Sequence, residues 1–452
     1  MAKPSVLIVG AGLAGLAAAR ELERRGCRVR VFEARNRVGG RVWTLRDGLS
    51  GMHAEAGGDL IDDDQQEIRR LAKELGLRES RVIRSGFSHY RLGKDGRRRI
   101  RSSSSGWRET ERALQPLIRA YKLNGEEWSG PIAGMIAERS IGDWLDELEG
   151  RRSRAGNQRS SVAIEELRAT ATAMRGFFLA DPDEMSLLVY VEQFASAGDP
   201  AERALYRLRG GNDRLPERIA RRLHTPVRLQ HVVRRIVQTK ERVRMTFEDG
   251  RGRWSEIEAS HAIVTAPAPI AAELEFTPGL PDAQRDAFTR LRYGRATKTV
   301  LQFDRPSWRR ARRPRACATD LDLGAVWDGS EDQRGPRGIL TLLAGGSASD
   351  ATKTILAGGG AKRLVERLRF FGIGRARLVA SRGVSWEDDL WARGGYAFFD
   401  SSFPPSARRL LALPWRRVFF AGEHTSTTWQ GYMNGAVESG LRAAEEVFIS
   451  AR

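Results

Sequence analysis

An α/β fold is predicted by three features of the N-terminal segment. Ser5 to Val9 (SVLIV) is a short continuous apolar run, as expected of a strand buried on both faces. It enters Gly10, Gly12 and Gly15, spaced as GxGxxG, which open a helical run from Leu13 to Arg25 that Gly26 stops. A second strand, Arg28 to Phe32, ends at the acid Glu33. Strand, glycine turn, helix, strand and acid follow one another in Rossmann-like order.

Each position has a physical reason. Gly10 permits the tight turn, Gly12 lets the backbone approach a pyrophosphate, and Gly15 lets helix and strand pack closely. The helix start at Leu13 and Ala14 offers unpaired N–H groups to phosphate oxygens. Glu33 is placed to bind ribose hydroxyls, with Ala34 and Arg35 beside it. A dinucleotide cofactor is the expected ligand. Beyond Glu33, ARNRVGGRVWT places a second glycine turn (Gly39, Gly40) before a fixed cation, Arg41, an extension that a nicotinamide domain does not need.

Length and composition bound the rest. A chain of 452 residues is long for one core and suggests two to four domains. With 41% hydrophobic and 29% charged residues it is a globular chain, not a disordered polymer. Two cysteines, Cys27 and Cys317, cannot build a disulfide framework, and six His show no zinc-like spacing, so no metal is expected. The apolar run Val6 to Ala19 is too short to span a bilayer, and a cytoplasmic protein without membrane contact is the expectation.

Later segments continue the pattern. HAEAGGDL carries the pair Gly57 and Gly58. Leu208 to Ile236 predicts a glycine turn, an amphipathic helix and a strand pair that includes Val233. Val243 to Phe247 with the turn EDG predicts a hairpin, and His261 to Pro269 a buried strand ending in a Pro-rich loop. GRATKTVLQFDRPSW (294 to 308) places Lys298 on an otherwise apolar strand. The chain has only eight Lys against 68 Arg, so a Lys there stands out; burial should partly deprotonate it unless it has a partner. VSWEDDLWARGGYAFF contains Trp386, and FFAGEHTSTTWQGYMNGAVESGLRAAEEV predicts a strand, a loop with Gly422 and Glu423, and a helix starting near Tyr432 to Asn434. The free N–H groups of that helix can face an anionic cofactor edge.

Together these segments, from residue 5 to 447, resemble the flavin-containing amine oxidases, a family that includes monoamine, polyamine and L-amino acid oxidases. The resemblance implies non-nicotinamide chemistry with FAD, an amine substrate and molecular oxygen as reactants, and hydrogen peroxide as a product. It implies that Arg41 lies near the FAD phosphates, that Gly57 and Gly58 pass close to the flavin, and that Val233 contacts adenine. Glu423 would accept from ribityl or ribose hydroxyls, with Gly422, Met433 and Ala436 beside the cofactor. Lys298 would hold a water at the flavin and aid its reaction with oxygen. Tyr432 matches one member of an aromatic pair that flanks the amine, and Trp386 a Trp near the flavin; these three are the expected catalytic residues. His424 in GEHT is expected to be structural.

Three departures sharpen the expectation. Tyr396 and Ala397 occupy the positions of the flavin-bonding cysteine and the second cage tyrosine of monoamine oxidases, so the FAD should be non-covalent and the cage incomplete unless Tyr396 or Phe398 replaces the missing ring. Leu60 stands where L-amino acid oxidases place a carboxylate-binding Arg. An amine without an α-carboxylate is therefore expected, with an L-amino acid oxidase or a flavin-dependent desaturase as alternatives. The resemblance implies a Rossmann-like FAD domain assembled from 1–82, 206–279 and 388–452, and a mixed α+β substrate domain from 83–205 and 280–387, with helices such as Ile141 to Leu148 and Val162 to Arg175 and strands around Thr297 to Phe303 and Gly338 to Ala344. Ser102 to Ser105 suggests a mobile loop.

The formal net charge is +19, which raises a basic nucleic-acid-binding protein with a vestigial nucleotide fold as a third alternative. Residues 91–101, 151–159 and 305–315 carry 15 of those charges, none within a flavin motif. They suggest a solvated face of the substrate domain, and nucleic acid is not the expected partner. The sequence leaves room for a homodimer.

Overall fold

In a computed structural model, residues 3–92, 98–154, 158–196, 203–309 and 315–451 are described. The Ser5–Val9 strand lies inside a four-stranded parallel sheet, between Arg28–Phe32 and His261–Val264, with Val418–Phe420 at the far edge. Its apolar run reflects that position, because helices cover the sheet. The Leu13–Arg24 helix packs across the Met433–Ser450 helix. Gly440 is required at that crossing, since a Cβ there would stand 2.2 Å from the Ala14 carbonyl oxygen.

A four-stranded sheet of Trp254–Ala259, Val243–Asp249, His231–Gln238 and Glu275–Thr277 adjoins it, the first three strands antiparallel. The hairpin read from Val243 and EDG is its Val243–Asp249 and Trp254–Ala259 pair, at one edge. The largest sheet has seven strands in the order Leu378–Ser385, Ala296–Phe303, Gly338–Gly345, Ala325–Asp328, Ala316–Thr319, Ser88–Leu92 and Arg98–Ser102. Every residue of Ala296–Phe303 is buried, which explains its unbroken apolar and Thr-rich character and makes Lys298 an exception. The Gln158–Phe178 helix lies on this sheet.

Three local expectations need correction. Ser102 to Ser105 is not a loop: Ser102 ends a strand and Ser103 begins the Ser103–Leu123 helix, a polar run suiting a helix start as well as a loop. Of the strand pair expected between Leu208 and Ile236, only His231–Gln238 forms a strand, while the segment before it makes the single bridge Phe32 to Arg228. The Pro-rich stretch after Val264 starts a short helix, Ala268–Ala271, because Pro at a first helical turn lacks only an N–H that would be unsatisfied anyway.

Both cysteines are free and buried. Among the described residues there is no cluster of metal ligands, and no helix long and apolar enough to cross a membrane. Each of the three Arg-rich runs includes residues outside the described ones, at 93–97, 155–157 and 310–314.

Candidate functional site

A single cavity of about 930 Å³ runs from the glycine turn to the face of the seven-stranded sheet. That volume is near the upper end of the ~300–1,000 Å³ typical of small-molecule sites. Every expected cofactor-binding or catalytic residue lines it except Gly15. Gly15 lies underneath, where a Cβ would stand 2.0 Å from the Gly10 carbonyl oxygen, the close helix–strand packing its position suggested.

Gly12 tests whether a bound group belongs here. Its backbone is ordinary (φ −73°, ψ −178°), and a Cβ on it would meet no protein atom within 4 Å. Neither strain nor packing within the protein requires glycine. The missing side chain would project beside the free N–H groups of a helix start, where a pyrophosphate would bind at backbone distance. The residues present fit a dinucleotide cofactor.

The acids at this end are held by the protein. The two oxygens of Glu33 accept the backbone N–H of Ala11 (2.8 Å) and of Arg35 (2.9 Å), which locks the carboxylate at the turn. Glu423 accepts from Arg41 (3.0 Å) and from the N–H of Ala397 (3.3 Å) and Gly431 (2.9 Å). Glu423 thus ties Arg41 to the loops that flank the cavity, and Arg41 also donates to the Gly395 carbonyl (2.6 Å). His424, buried behind it, has its imidazole pushed down to about 4 by burial.

Towards the middle, the first turn of the Met433–Ser450 helix opens on the cavity with Tyr432 at its cap. Its unpaired N–H groups give that wall positive character. Gly58 lies against this turn: a Cβ on it would stand 2.7 Å from Met433 Sδ. Trp386 is fixed by donating to the Ala56 carbonyl (2.8 Å), and its ring stands 3.0 Å from where a Gly57 Cβ would be. Tyr396 and Phe398 line the same region, and the Tyr396 hydroxyl donates to the Phe177 carbonyl. Burial pushes the Tyr432 hydroxyl up to about 12, so it stays neutral.

Lys298 is 2% exposed, and it has a partner. Nζ donates to the Gly57 carbonyl (2.8 Å) and to Asp59 Oδ2 (3.0 Å). Burial pulls the ammonium below its ordinary value, and Asp59 opposes that pull. Asp59 in turn pairs with Arg207 (2.6 Å) and accepts from Trp327 Nε1 (3.2 Å), while Arg207 also pairs with Asp332 (3.0 Å). Lys298, Asp59, Arg207 and Asp332 thus form a buried row of alternating charge. Burial works against the Asp59 carboxylate, yet Arg207 and Lys298 outweigh it and hold it below its usual range.

Asp59, Arg207 and Asp332 were missed from the sequence. Asp59 did carry a signal, because it directly follows the glycine pair in AGGDL. Replacing it with Asn would leave Lys298 buried without a carboxylate and Arg207 with Asp332 alone. Breaking a buried pair costs about 3–5 kcal/mol, so Asp59→Asn is expected to lower the unfolding free energy by that amount in denaturant titrations.

Glu55, fully buried beside this row, accepts from Thr44 Oγ1 (2.8 Å) and the Asn212 N–H (3.0 Å). Burial, with Asp59 adding to it, pushes this carboxyl up to about 8. A carboxyl raised on folding binds its proton more tightly in the native state. Its stabilisation is complete below the ordinary value of 4.5 and is lost as pH climbs towards 8. The loss is on the order of 5 kcal/mol. Glu55→Gln is expected to flatten stability against pH across that window; an unchanged slope would show that the proton sits elsewhere.

A parallel sheet with a glycine turn, joined through one cavity to a buried lysine, defines a cofactor-dependent enzyme. A family model described as flavin containing amine oxidoreductase matches residues 13–448. The chain belongs to that family, and it is a flavin-dependent oxidoreductase acting on amine donors. Flavin-containing amine oxidase B of Bos taurus is 28% identical to it over 98% of this chain and 86% of the relative. The Homo sapiens form is 27% identical with the same coverage. Among solved structures, a triple mutant of putrescine oxidase superposes with a TM-score of 0.84 at 25% identity, covering 99% of both chains. Cyclohexylamine oxidase from Brevibacterium oxydans, at 24% identity and a TM-score of 0.83, shares the fold.

Proposed function

We propose that the protein is an oxidase of amines lacking an α-carboxylate, using non-covalently held FAD and molecular oxygen and releasing hydrogen peroxide. The observation that carries this reading is the single cavity that joins the Gly12 turn to Lys298, Trp386 and Tyr432. Bound there, FAD would accept the hydride from the amine-bearing carbon and pass the electrons to oxygen, leaving an imine for water to hydrolyse. The protein's own part is placement and exclusion of water. Gly10, Gly12 and the N–H groups at Leu13 and Ala14 would take the pyrophosphate, Glu33 a ribose, and Val233 the adenine. The helix start at Met433 would face the anionic edge of the reduced ring. The Tyr432 face, with Tyr396 and Phe398 nearby, would receive the neutral amine.

Non-covalent attachment is supported by Tyr396, whose side chain offers no thiol at the position aligned with the bonding cysteine. Leu60 in the cavity wall, in place of a cation, supports a substrate without a carboxylate. The strand composition of the sheets supports assigning 1–82, 206–279 and 388–452 to the FAD unit: all four strands of the parallel sheet fall within those ranges. A cytoplasmic location accords with two unpaired cysteines. The test is a peroxide assay over aromatic, aliphatic and polyamine substrates beside L-amino acids. Peroxide from simple amines is expected; turnover of L-amino acids alone would replace this reading with an L-amino acid oxidase.

A further inference from the structure

A five-strand rung within the seven-stranded sheet starts at Lys298, whose neighbour on the other side is Val384. Lys298 pairs in register with Leu343, Leu343 with Ala325, Ala325 with Ala318, and Ala318 with His89. At about 4.8 Å per strand, the rung is roughly 19 Å long between backbones. Its two ends line the same cavity. The Gln158–Phe178 helix crosses the middle, where Gly176 comes down on Ala325. Thr170 of that helix and Gly106 border His89 at the far end: a Cβ on Gly106 would stand 3.3 Å from His89 Nδ1.

The walls around this end are aromatic. Phe87 meets Phe177 edge-on at 5.0 Å, and Trp107 stacks on Phe194 at 3.8 Å. His89 is the polar exception. No hydrogen bond or charge acts on its ring among the described residues, and burial alone pushes the imidazole down to about 4. At neutral pH it therefore presents one donor and one acceptor, and no charge.

The carboxylates of the cavity wall are all engaged elsewhere, among the described residues. Asp59 holds Lys298 and Arg207, Glu192 holds Arg408, and Asp62 and Asp64 share the one Arg203 at 3.5 and 3.6 Å. Glu423 and Glu33 are bound as described above. A second ammonium beside His89, where no charge acts on the ring, would find no counter-ion among the described residues. Burying it unpaired is costly, and an aromatic face returns only part of that cost.

Resting on the amine-oxidase reading, we infer that the far end of the cavity is a subsite for the uncharged, hydrogen-bonding end of an aromatic or cyclic monoamine. His89 is its specificity residue, and diamines are discriminated against.

The test compares phenylalkylamines of increasing chain length, each with and without a para-hydroxyl, against hexamethylenediamine, for the holoenzyme and His89→Leu. Wild type is expected to prefer a hydroxylated member in kcat/KM. His89→Leu is expected to lose about tenfold of that preference, the value of one hydrogen bond, read as the ratio of kcat/KM for the hydroxylated member to that for the plain one. His89→Asp, which adds a carboxylate, is expected to raise diamine turnover. Efficient diamine oxidation by wild type, or a hydroxyl preference untouched by His89→Leu, would overturn the inference. Thermal-shift titration with α,α-dimethyl analogues, which have no hydrogen on the amine-bearing carbon, reads binding without oxidation. If no amine reduces the flavin, the amine-oxidase reading fails, and these shifts alone decide whether His89 recognises the hydroxyl.

Discussion

Lys298→Met is expected to slow reoxidation of the reduced flavin by oxygen about a hundredfold, the lower end of what a positioned proton-handling group contributes, while FAD stays bound. The ammonium has three hydrogens. Two are committed to the Gly57 carbonyl and Asp59, which leaves one directed to other acceptors, such as a water in the cavity. Met matches the length of the side chain but supplies no donor and no charge. The reductive half, in which the amine reduces the flavin, is expected to change far less. Stability is a separate matter, because the substitution leaves Asp59 with Arg207 and Trp327 only. The double variant Lys298→Met with Asp59→Asn separates the two effects: it relieves the stranded carboxylate, yet reoxidation should remain slow. Stopped-flow mixing of reduced protein with oxygen is the measurement. Wild-type reoxidation in a flavin-loaded Lys298→Met protein would remove the lysine from the oxygen step.

Gly12→Ala is expected to leave the fold intact and weaken FAD binding about 10- to 100-fold. The backbone there suits any residue, and the new methyl touches no protein atom. Gly to Ala at such a site changes stability by less than about 1 kcal/mol, towards greater stability. Against a pyrophosphate at backbone distance the same methyl is an overpacking defect costing about 1–3 kcal/mol. Gly15→Ala is the contrast, since its Cβ would collide with the Gly10 carbonyl and is expected to destabilise the fold itself. Flavin content by absorbance and melting by circular dichroism distinguish the two. A Gly12→Ala protein that purifies with full flavin would place the pyrophosphate elsewhere.

The N-terminal unit was legible because its information is local: strand, glycine turn, helix and acid lie within one stretch, and each has its own steric reason. Lys298 was legible for a different reason, the scarcity of Lys in an Arg-rich chain. The same composition hid Arg207. One of 68 arginines, it sits in LYRL with nothing to mark it, although it is 1% exposed and anchors the partner of Lys298. The charged row joins positions 59, 207, 298 and 332, which only the tertiary fold brings together. Glu423 was read from the sequence as an acceptor for ribityl or ribose hydroxyls; it lines the cavity, and its carboxylate meets Arg41 and two backbone N–H groups, partners supplied by other loops. The rung from Lys298 to His89 was invisible for the same reason, since pairing across five strands is set by register and not by sequence neighbours.

The proposed function requires that this cavity hold FAD and oxidise amines. Anaerobic titration of the purified protein with a phenylalkylamine, followed by its visible spectrum, tests it most directly. The yellow absorbance of oxidised flavin is expected to bleach on adding amine and to return, with peroxide, when oxygen is admitted. A colourless protein, or a yellow one that no amine bleaches, would contradict it.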